Sequence, residues 1–253
     1  EVLLESRDDK QHVYLPDRCI GCGSCVAVCP KGELVIGSVG AVARGLIDKD
    51  FIEKKASGAC VLCAMCARVC PTGALDLRTA GKSEMDESYL SVAVQKTAVG
   101  DNCVHCGLCA AVCPRSCIEV EDRHLAEDGS LKVEGKTLID LNHCVHCGWC
   151  AQVCPVGAIS FARPFAGEFS RDDKVCQACR TCIHTCPANA LFNKEAGPGE
   201  IVEKVTHRKE ACIYCGACEL ACPVAAIKVT KTAIVPEMKG KKALEKKLSA
   251  PAG

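Results

Sequence analysis

Aromatic residues and long apolar stretches are both scarce in this sequence. Phe, Trp and Tyr together make up only 4% of the 253 residues. Nowhere do apolar residues continue for the 18 or so positions that a membrane-spanning helix needs. We therefore predict a chain without a membrane span, whose stability does not come from one large aromatic core.

An excess of charge of one sign is also missing. Lys and Arg number 31, Asp and Glu number 31, and the formal net charge is zero. The first ten residues, EVLLESRDDK, lack the basic-then-apolar order of a secretory signal peptide. The N-terminal sequence does not indicate a secreted protein, and we expect the chain in the cytoplasm.

Cysteine, by contrast, is abundant and strictly spaced. The segment 144–155 reads CVHCGWCAQVCP, with three cysteines at steps of three, a fourth after a step of four, and then a proline. The same spacing occurs six times and accounts for 24 of the 25 cysteines. The six copies begin at Cys19, Cys60, Cys103, Cys144, Cys176 and Cys212.

This spacing is that of bacterial-type [4Fe–4S] ferredoxins. The first three cysteines of a run bind one cluster, and the fourth binds the cluster of a partner run. Structural zinc usually pairs separated two-cysteine knuckles and does not need the Cys-Pro ending. A disulfide framework requires an oxidising compartment, and a redox-active two-cysteine motif has no need of six copies. We therefore predict six [4Fe–4S] clusters, with zinc as the main alternative.

Cluster binding changes the charge and the stability of the chain. With 24 thiolates and six cluster cores, the net charge becomes about −12, which argues against nucleic acid as a partner. Each pair of motifs spans about 60 to 80 residues, a size at which a metal group usually has to supplement the apolar core. So many oxidisable thiolates indicate a reducing compartment.

The segments around the motifs predict an α+β fold of tandem 2[4Fe–4S] ferredoxin-like domains. Strand-forming sequences such as QHVYLP precede the motifs, and patterns such as PTGALDL and PVGAISF follow them. SEMDESYLSVAV reads as a connecting helix. The predicted organisation is 11–80 (unit 1), 81–97 (helical connector), 98–165 (unit 2), 166–232 (unit 3) and 233–253 (basic linker or tail).

Within this organisation we pair motif 1 with 2, 3 with 4, and 5 with 6. The alternative, pairing 2 with 3 and 4 with 5, remains open because the gap between Cys154 and Cys176 is short. The preferred pairing predicts six groups of four ligands: Cys19, Cys22, Cys25 and Cys70; Cys60, Cys63, Cys66 and Cys29; Cys103, Cys106, Cys109 and Cys154; Cys144, Cys147, Cys150 and Cys113; Cys176, Cys179, Cys182 and Cys222; Cys212, Cys215, Cys218 and Cys186.

Four single residues invite a specific interpretation. Cys117 falls where other copies have alanine, so we expect a small packing residue. His105 and His146 share a slot between the first two cysteines, and we expect them at the surface near a cluster. Trp149 matches Leu and Met in other copies and should pack.

Two segments invite a non-cluster function. The glycine-rich GSVGAVARG (37–45) lacks the Gly-Lys-Ser/Thr ending of a phosphate-binding loop, so we expect tight turns beside a cluster. The lysine-rich end from Lys228 onward should be a solvated tail, or else an arm that contacts a partner.

Beyond the cysteine motif, the chain resembles archaeal polyferredoxins, most closely the polyferredoxin subunit of formylmethanofuran dehydrogenase. The resemblance covers nearly the whole chain and is carried by YLPDRCIGCGSCVAVCP, GSVGAVARG, CPTGALDLRTAGKS, CPVGAISFARPFAGEF and CQACRTCIHTCPANAL. Such subunits usually carry eight motifs, whereas this chain has six. Either it is a shorter relative or two more motifs follow residue 253, and the trailing LSAPAG leads us to expect the second.

The resemblance implies a function and a set of partners. It implies no catalytic residue in this chain, and a relay of low-potential electrons to a tungstopterin or molybdopterin subunit that reduces CO2, beside an amidohydrolase-like subunit. Heterodisulfide reductase, hydrogenase or formate dehydrogenase would donate the electrons. Two alternatives stay open: a hydrogenase-associated polyferredoxin, and a metal-stapled scaffold without electron transfer.

Overall fold

The computed structural model describes residues 2–7, 9–55, 60–85, 92–93, 97–127, 132–238 and 240–249. The chain forms small antiparallel sheets and one-turn helices, as an α+β fold predicts. The first part contains β1 (Val2–Arg7), β2 (Lys10–Tyr14), α1 (Ser24–Val28), β3 (Leu34–Ile36), α2 (Val39–Ala43), β4 (Ile52–Lys54), α3 (Met65–Val69), β5 (Leu75–Thr79) and β6 (Lys82–Ser83).

The remaining elements repeat this pattern twice and then add a final helix. The middle part contains β7 (Ala98–Val99), α4 (Leu108–Val112), β8 (Ile118–Leu125), β9 (Val133–Ile139), α5 (Trp149–Val153) and β10 (Ile159–Ser160). The last part contains β11 (Phe165–Arg171), α6 (Thr181–Thr185), β12 (Leu191–Phe192), β13 (Thr206–His207), α7 (Ala217–Ala221), β14 (Ile227–Ile234) and α8 (Lys241–Leu248).

Strand pairing relates the two motifs of each unit by an approximate two-fold axis. The strand before the first motif pairs with the strand after the second, as in β2 with β5, β7 with β10, and β11 with β14. The strand after the first motif pairs with the strand before the second, as in β3 with β4, β8 with β9, and β12 with β13. The helices of the two motifs also pack together, as α1 with α3, α4 with α5, and α6 with α7. The structure thus joins motifs 1 and 2, 3 and 4, and 5 and 6.

The unit boundaries differ from the predicted ones by a few residues. The first sheet extends from Val2 to Ser83, since β1 and β6 add strands at its two edges. Phe165 belongs to β11 and hence to the third unit. Most of the predicted connecting helix lies outside the described residues, and Lys82–Ser83 at its beginning is a strand.

The lysine-rich end is ordered in the described residues, which corrects the expectation of a solvated tail. Residues Ile227–Ile234 continue as β14, and α8 returns to pack against both β14 and α1. Ile234 and Leu244 are buried in a core that also contains Val28 and Val69 of the first unit. Lysine dominates the composition of this end, but its few apolar residues decide where it lies.

The glycine-rich segment 37–45 likewise differs from prediction, because it forms helix α2 rather than turns. This helix packs against α6 and α7 of the third unit. A Cβ atom added at Gly40 would lie 2.7 Å from Cγ2 of Thr181 and 2.9 Å from the carbonyl oxygen of Ala221. Gly40 therefore permits the first and third units to pack closely. No helix in the described part of the chain is long and apolar enough to cross a membrane.

Candidate metal centres

Each cysteine motif is shaped by one short helix and the proline after it. In motif 1 the third cysteine, Cys25, lies in the first turn of α1, and the fourth, Cys29, lies just past its end in an extended conformation (φ −67°, ψ 114°). A proline disfavours the helical conformation of the residue before it, so Pro30 both ends the helix and turns Cys29 outward. The fourth cysteines of the other five motifs have the same conformation.

Left-handed backbone recurs at three equivalent positions of every motif: two residues after the first cysteine, four residues after it, and thirteen residues after it. Only some of these eighteen positions are glycine. Leu62, His146, Arg180 and Tyr214 are examples of side chains held at positive φ. Each such residue costs roughly 1 kcal/mol or more. This cost is compatible with a stable fold if the bound group contributes to folding free energy.

The structure brings the predicted ligands together in the predicted fours. Three cavities are each lined by three cysteines of one motif and the fourth cysteine of its partner motif. We call them site II (Cys60, Cys63, Cys66, Cys29), site IV (Cys144, Cys147, Cys150, Cys113) and site VI (Cys212, Cys215, Cys218, Cys186).

The other three groups of predicted ligands are identified from the electrostatic effect of neighbouring thiols on one cysteine in each group. Burial, and then the charges of Cys22, Cys70, Cys66 and Cys19, raise the pKa of Cys25; we call the predicted ligands Cys19, Cys22, Cys25 and Cys70 site I. Cys182 is influenced by Cys176, Cys179 and Cys222, which form site V. Burial, and then the charges of Cys103 and Cys106, raise the pKa of Cys109, and Cys154 lies in the apolar cluster that contains Cys109 and ligands of site IV; we call the four predicted ligands Cys103, Cys106, Cys109 and Cys154 site III.

The donor sets fit a group larger than a single ion. Among the described residues, no three His, Cys, Asp or Glu side chains lie close enough together to hold a single metal ion. Four thiols around a shared cavity instead suit a cubane cluster.

Burial disfavours the charged form of these thiols in the metal-free chain. It raises the pKa of Cys147, Cys182 and Cys212 to about 11, and the neighbouring thiols add to the effect at Cys182. The pKa of Cys25 is raised well above its ordinary value by burial and then by four cysteines around it. A positively charged group must therefore compensate the thiolates, and its binding releases protons.

Backbone amides also point at the ligand sulfurs. The amide of the residue four positions after the fourth cysteine donates to that cysteine's Sγ in five copies: Glu33 to Cys29 (3.4 Å), Ala74 to Cys70 (3.2 Å), Ala158 to Cys154 (3.2 Å), Ala190 to Cys186 (3.3 Å) and Ala226 to Cys222 (3.2 Å). Such bonds stabilise negative charge on sulfur.

The two histidines form a contact that sequence reasoning missed. At site III, Nδ1 of His105 lies 2.9 Å from Oγ1 of Thr137, and both contact Cys103. At site IV, Nδ1 of His146 lies 3.0 Å from Oγ1 of Thr97, and both contact Cys144. His146 is only 1% exposed, so its expected surface location is wrong. The threonines come from other segments, and only the repeated histidine hinted at this arrangement.

Sequence reasoning also missed the contact that a third histidine makes with a predicted ligand. Nε2 of His12, on β2, lies 3.1 Å from Sγ of Cys66 at site II, and the side chain is buried. The polar residue in the otherwise strand-forming QHVYLP was the only signal in the sequence.

Cys117 is buried, as a packing residue should be, but it also touches two predicted ligands. Its Sγ lies 3.4 Å from Sγ of Cys113, and it lines the same cavity as Cys144. The hydrogen bond from Cys117 is the main cause that lowers the pKa of both Cys113 and Cys144.

Sites I, IV and VI meet in one apolar cluster between the three units. This junction contains Cys22 of site I, Cys147 of site IV and Cys215 of site VI. Trp149 lies there, as the packing interpretation predicts, and its Nε1 donates to the carbonyl oxygen of Ala188 (2.8 Å). Loop residues of sites II and V are more open, since Cys63 and Cys179 are exposed. We call the sites that meet at this junction (I, IV and VI) inner and the other three (II, III and V) outer.

The comparisons agree with this geometry. The family described as "4Fe-4S dicluster domain" matches residues 18–74, 59–117, 102–158 and 175–226, which is more than half of the chain. The chain belongs to the 4Fe-4S dicluster domain family. Because the matches at 18–74, 59–117 and 102–158 overlap, the family comparison does not itself choose between the two pairings of motifs.

One solved structure covers almost all of the chain. A chain of the formate dehydrogenase–heterodisulfide reductase–formylmethanofuran dehydrogenase complex from Methanospirillum hungatei is 30% identical, with a TM-score of 0.77. The match covers 95% of this chain and 85% of that one. The chain is therefore similar along its whole length to a component of a multi-subunit oxidoreductase complex.

Two curated relatives match over single units only. A tetrathionate reductase subunit of Archaeoglobus fulgidus is 42% identical over 55 residues, and an NADH-quinone oxidoreductase subunit of Geobacter metallireducens is 41% identical over 59 residues. These matches span 24% and 44% of the relatives' lengths, and 21% and 22% of this chain.

Proposed function

We propose that this chain is a fixed relay for low-potential electrons, with six [4Fe–4S] clusters bound at sites I to VI. The observation that carries the proposal is the set of cavities at sites II, IV and VI, each lined by three cysteines of one motif and the fourth of its partner. Each cluster would accept and pass on single electrons. The 24 cysteines of the six sites hold the clusters, the amide donors stabilise the ligand sulfurs, and the apolar residues around them exclude water.

The packing of the units favours a relay over a diffusing carrier. A single two-cluster unit suffices for a carrier, whereas here three units share buried cores. The junction containing Cys22, Cys147 and Cys215 gives sites I, IV and VI short paths to one another. Sites II, III and V then serve as contacts for other proteins, and the exposure of Cys63 and Cys179 supports this role.

The finer proposal is that the chain is the polyferredoxin subunit of a formylmethanofuran dehydrogenase. The similarity to a chain of the formate dehydrogenase–heterodisulfide reductase–formylmethanofuran dehydrogenase complex supports it, because it extends over 95% of this chain. The partners would be a tungstopterin or molybdopterin subunit, an amidohydrolase-like subunit, and the electron donors named in that complex. Oxidisable thiolates in such number fit a reducing cytoplasm.

The first test is the metal content of the anaerobically purified chain. Six clusters predict about 24 iron atoms and about 24 acid-labile sulfides per chain, with spectra that change on reduction. Zinc in place of iron, or spectra that do not respond to reductant, would overturn the relay.

The second test concerns partners. Anaerobic affinity purification from the native cells, with mass spectrometry of every co-purifying subunit, should recover a pterin-binding and an amidohydrolase-like subunit. Recovery of hydrogenase subunits alone would assign the chain to a hydrogenase-associated polyferredoxin and leave the cluster chemistry unchanged.

A further inference from the structure

Cys117 occupies a slot that exists in all six motifs, four residues after the fourth cysteine. The amide of this residue donates to the ligand sulfur in the other five motifs, whereas in motif 3 the side chain of Cys117 contacts Sγ of Cys113. The side chain in this slot is buried in every copy. The residues found there are Glu33, Ala74, Cys117, Ala158, Ala190 and Ala226. Motif 3 alone therefore places a thiol in this slot.

The thiol of Cys117 faces two ligands of the same site. Its Sγ lies 3.4 Å from Sγ of Cys113, and it lines the same cavity as Cys144. Cys113 and Cys144 come from different motifs but both line the cavity of site IV, together with Cys117 itself. A metal-bound thiolate can only accept a hydrogen bond, so Cys117 must be the donor.

A hydrogen bond to a ligand sulfur affects the two redox states differently. Reduction adds one negative charge, part of which resides on the sulfurs, so a donor stabilises the reduced form more than the oxidised form. The matched slot of site III holds Ala158, which has no side-chain donor. Sites III and IV also share the Cys–His–Thr contact, so this slot is a clear difference in polar contacts between them.

We propose that Cys117 is a positioning residue of site IV, whose S–H donates a hydrogen bond to Cys113 and raises the reduction potential of that site above that of site III. The proposal rests on the proposed function, since it requires a cluster at each site. Because site IV lies at the junction with sites I and VI, the higher potential draws electrons inward from the outer site III.

The test is a redox titration of the full chain with all clusters bound, followed by electron paramagnetic resonance. In Cys117→Ala we expect one cluster to shift to lower potential, with the ratio of reduced to oxidised form falling about tenfold at a fixed potential. For a one-electron centre this is about 59 mV. Cys117→Ser keeps a donor and should stay close to the wild type. Ala158→Cys is the matched control and should raise one other cluster.

Infrared spectroscopy gives a second readout that does not depend on potentials. With 24 cysteines bound to iron, Cys117 is the only free thiol of the 25, so the loaded chain has a single S–H stretching band. The band should lie at the lower frequency of a hydrogen-bonded thiol and disappear in Cys117→Ala and Cys117→Ser. Ala158→Cys should add a second band.

The outcomes separate this inference from the function it rests on. Unchanged potentials in Cys117→Ala with full iron content, or an S–H band at the frequency of a free thiol, would overturn the role of Cys117 alone. Loss of four iron atoms in Cys117→Ala would make it a ligand and overturn the role as well. Low iron in the wild-type chain would overturn the relay and this inference together.

Discussion

Sites III and IV are built from the same sequence pattern, in the same unit, and related by an approximate two-fold axis, yet their surroundings differ. Both have a histidine after the first cysteine and a threonine 2.9–3.0 Å from its Nδ1. His105 is only half-buried, whereas His146 is 1% exposed. Val104 is exposed at site III, and its counterpart Val145 is buried at the junction of the three units. The comparison shows that neighbouring units, and not the motif, decide how a site is shielded from solvent.

Removal of one ligand at each site should test this difference most strongly. Cys147→Ala and Cys106→Ala should each remove about four iron atoms. Cys147 also packs at the junction, so its loss should cost about 2 kcal/mol more, or roughly 4–8 °C in the unfolding midpoint. Iron analysis and thermal unfolding measure both effects. Equal midpoints would contradict a special role of the junction.

The glycines before the two helices form a matched pair. Gly107 and Gly148 have nearly the same left-handed backbone, with φ of 83° and 84°. A Cβ atom at Gly107 would meet nothing within 4 Å, while one at Gly148 would clash with the ring of Phe161. We expect Gly107→Ala to cost about 1–2 kcal/mol and Gly148→Ala about 2 kcal/mol more, as measured by denaturant unfolding.

Unfolding of Gly107→Ala and Gly148→Ala at the same denaturant concentration would contradict the tighter packing around site IV. Phe161 would then have moved away without cost, and the packing around site IV would be looser than the structure indicates.

The threonine partners of the two histidines offer a smaller contrast. Thr97→Val leaves the buried Nδ1 of His146 without its partner and should cost about 1–3 kcal/mol. Thr137→Val should cost less than about 1 kcal/mol, because water can reach the half-exposed His105. Denaturant unfolding of both variants under anaerobic conditions checks this. A larger loss of stability in Thr137→Val than in Thr97→Val would contradict the greater burial of the histidine at site IV.

The smallest expected effect depends on pH and concerns the turn before site IV. The hydrogen bond from His143 and the amide of Asn142 lower the pKa of Asp140. A carboxyl with a lowered pKa stabilises the fold above its ordinary pKa of about 4 and loses that contribution as the pH falls through the lowered value. Asp140→Asn should remove a contribution of well under 1 kcal/mol at neutral pH, because the pair is exposed.

The equivalent position of site III carries no carboxyl group. Val99 stands at the same distance before Cys103 as Asp140 before Cys144. Stability curves of the wild type and Asp140→Asn should converge as the pH falls below the lowered pKa. Curves that stay parallel would show that Asp140 acts through something other than its charge.

Much of the fold could be predicted because the chain repeats itself. The spacing of the cysteines and the proline predicted the family, and the strand-forming segments on both sides of each motif predicted the α+β fold, which the family match confirms. The 24 ligands remain a prediction, although the structure gathers them in the predicted fours. Composition misled at the lysine-rich end, where a few buried residues such as Leu244 outweigh the charges around them.

What the sequence by itself determined is local: the six motifs, the helix that each proline ends, and the strand on either side. These follow from backbone sterics and short-range periodicity, which act within about ten residues. The tertiary structure alone decided that sites I, IV and VI meet at one junction, that His12 reaches Cys66, and that Cys117 lines one cavity with Cys144. Those contacts depend on strand pairing and on packing between units, which join residues far apart in the chain and leave no periodic signal in it.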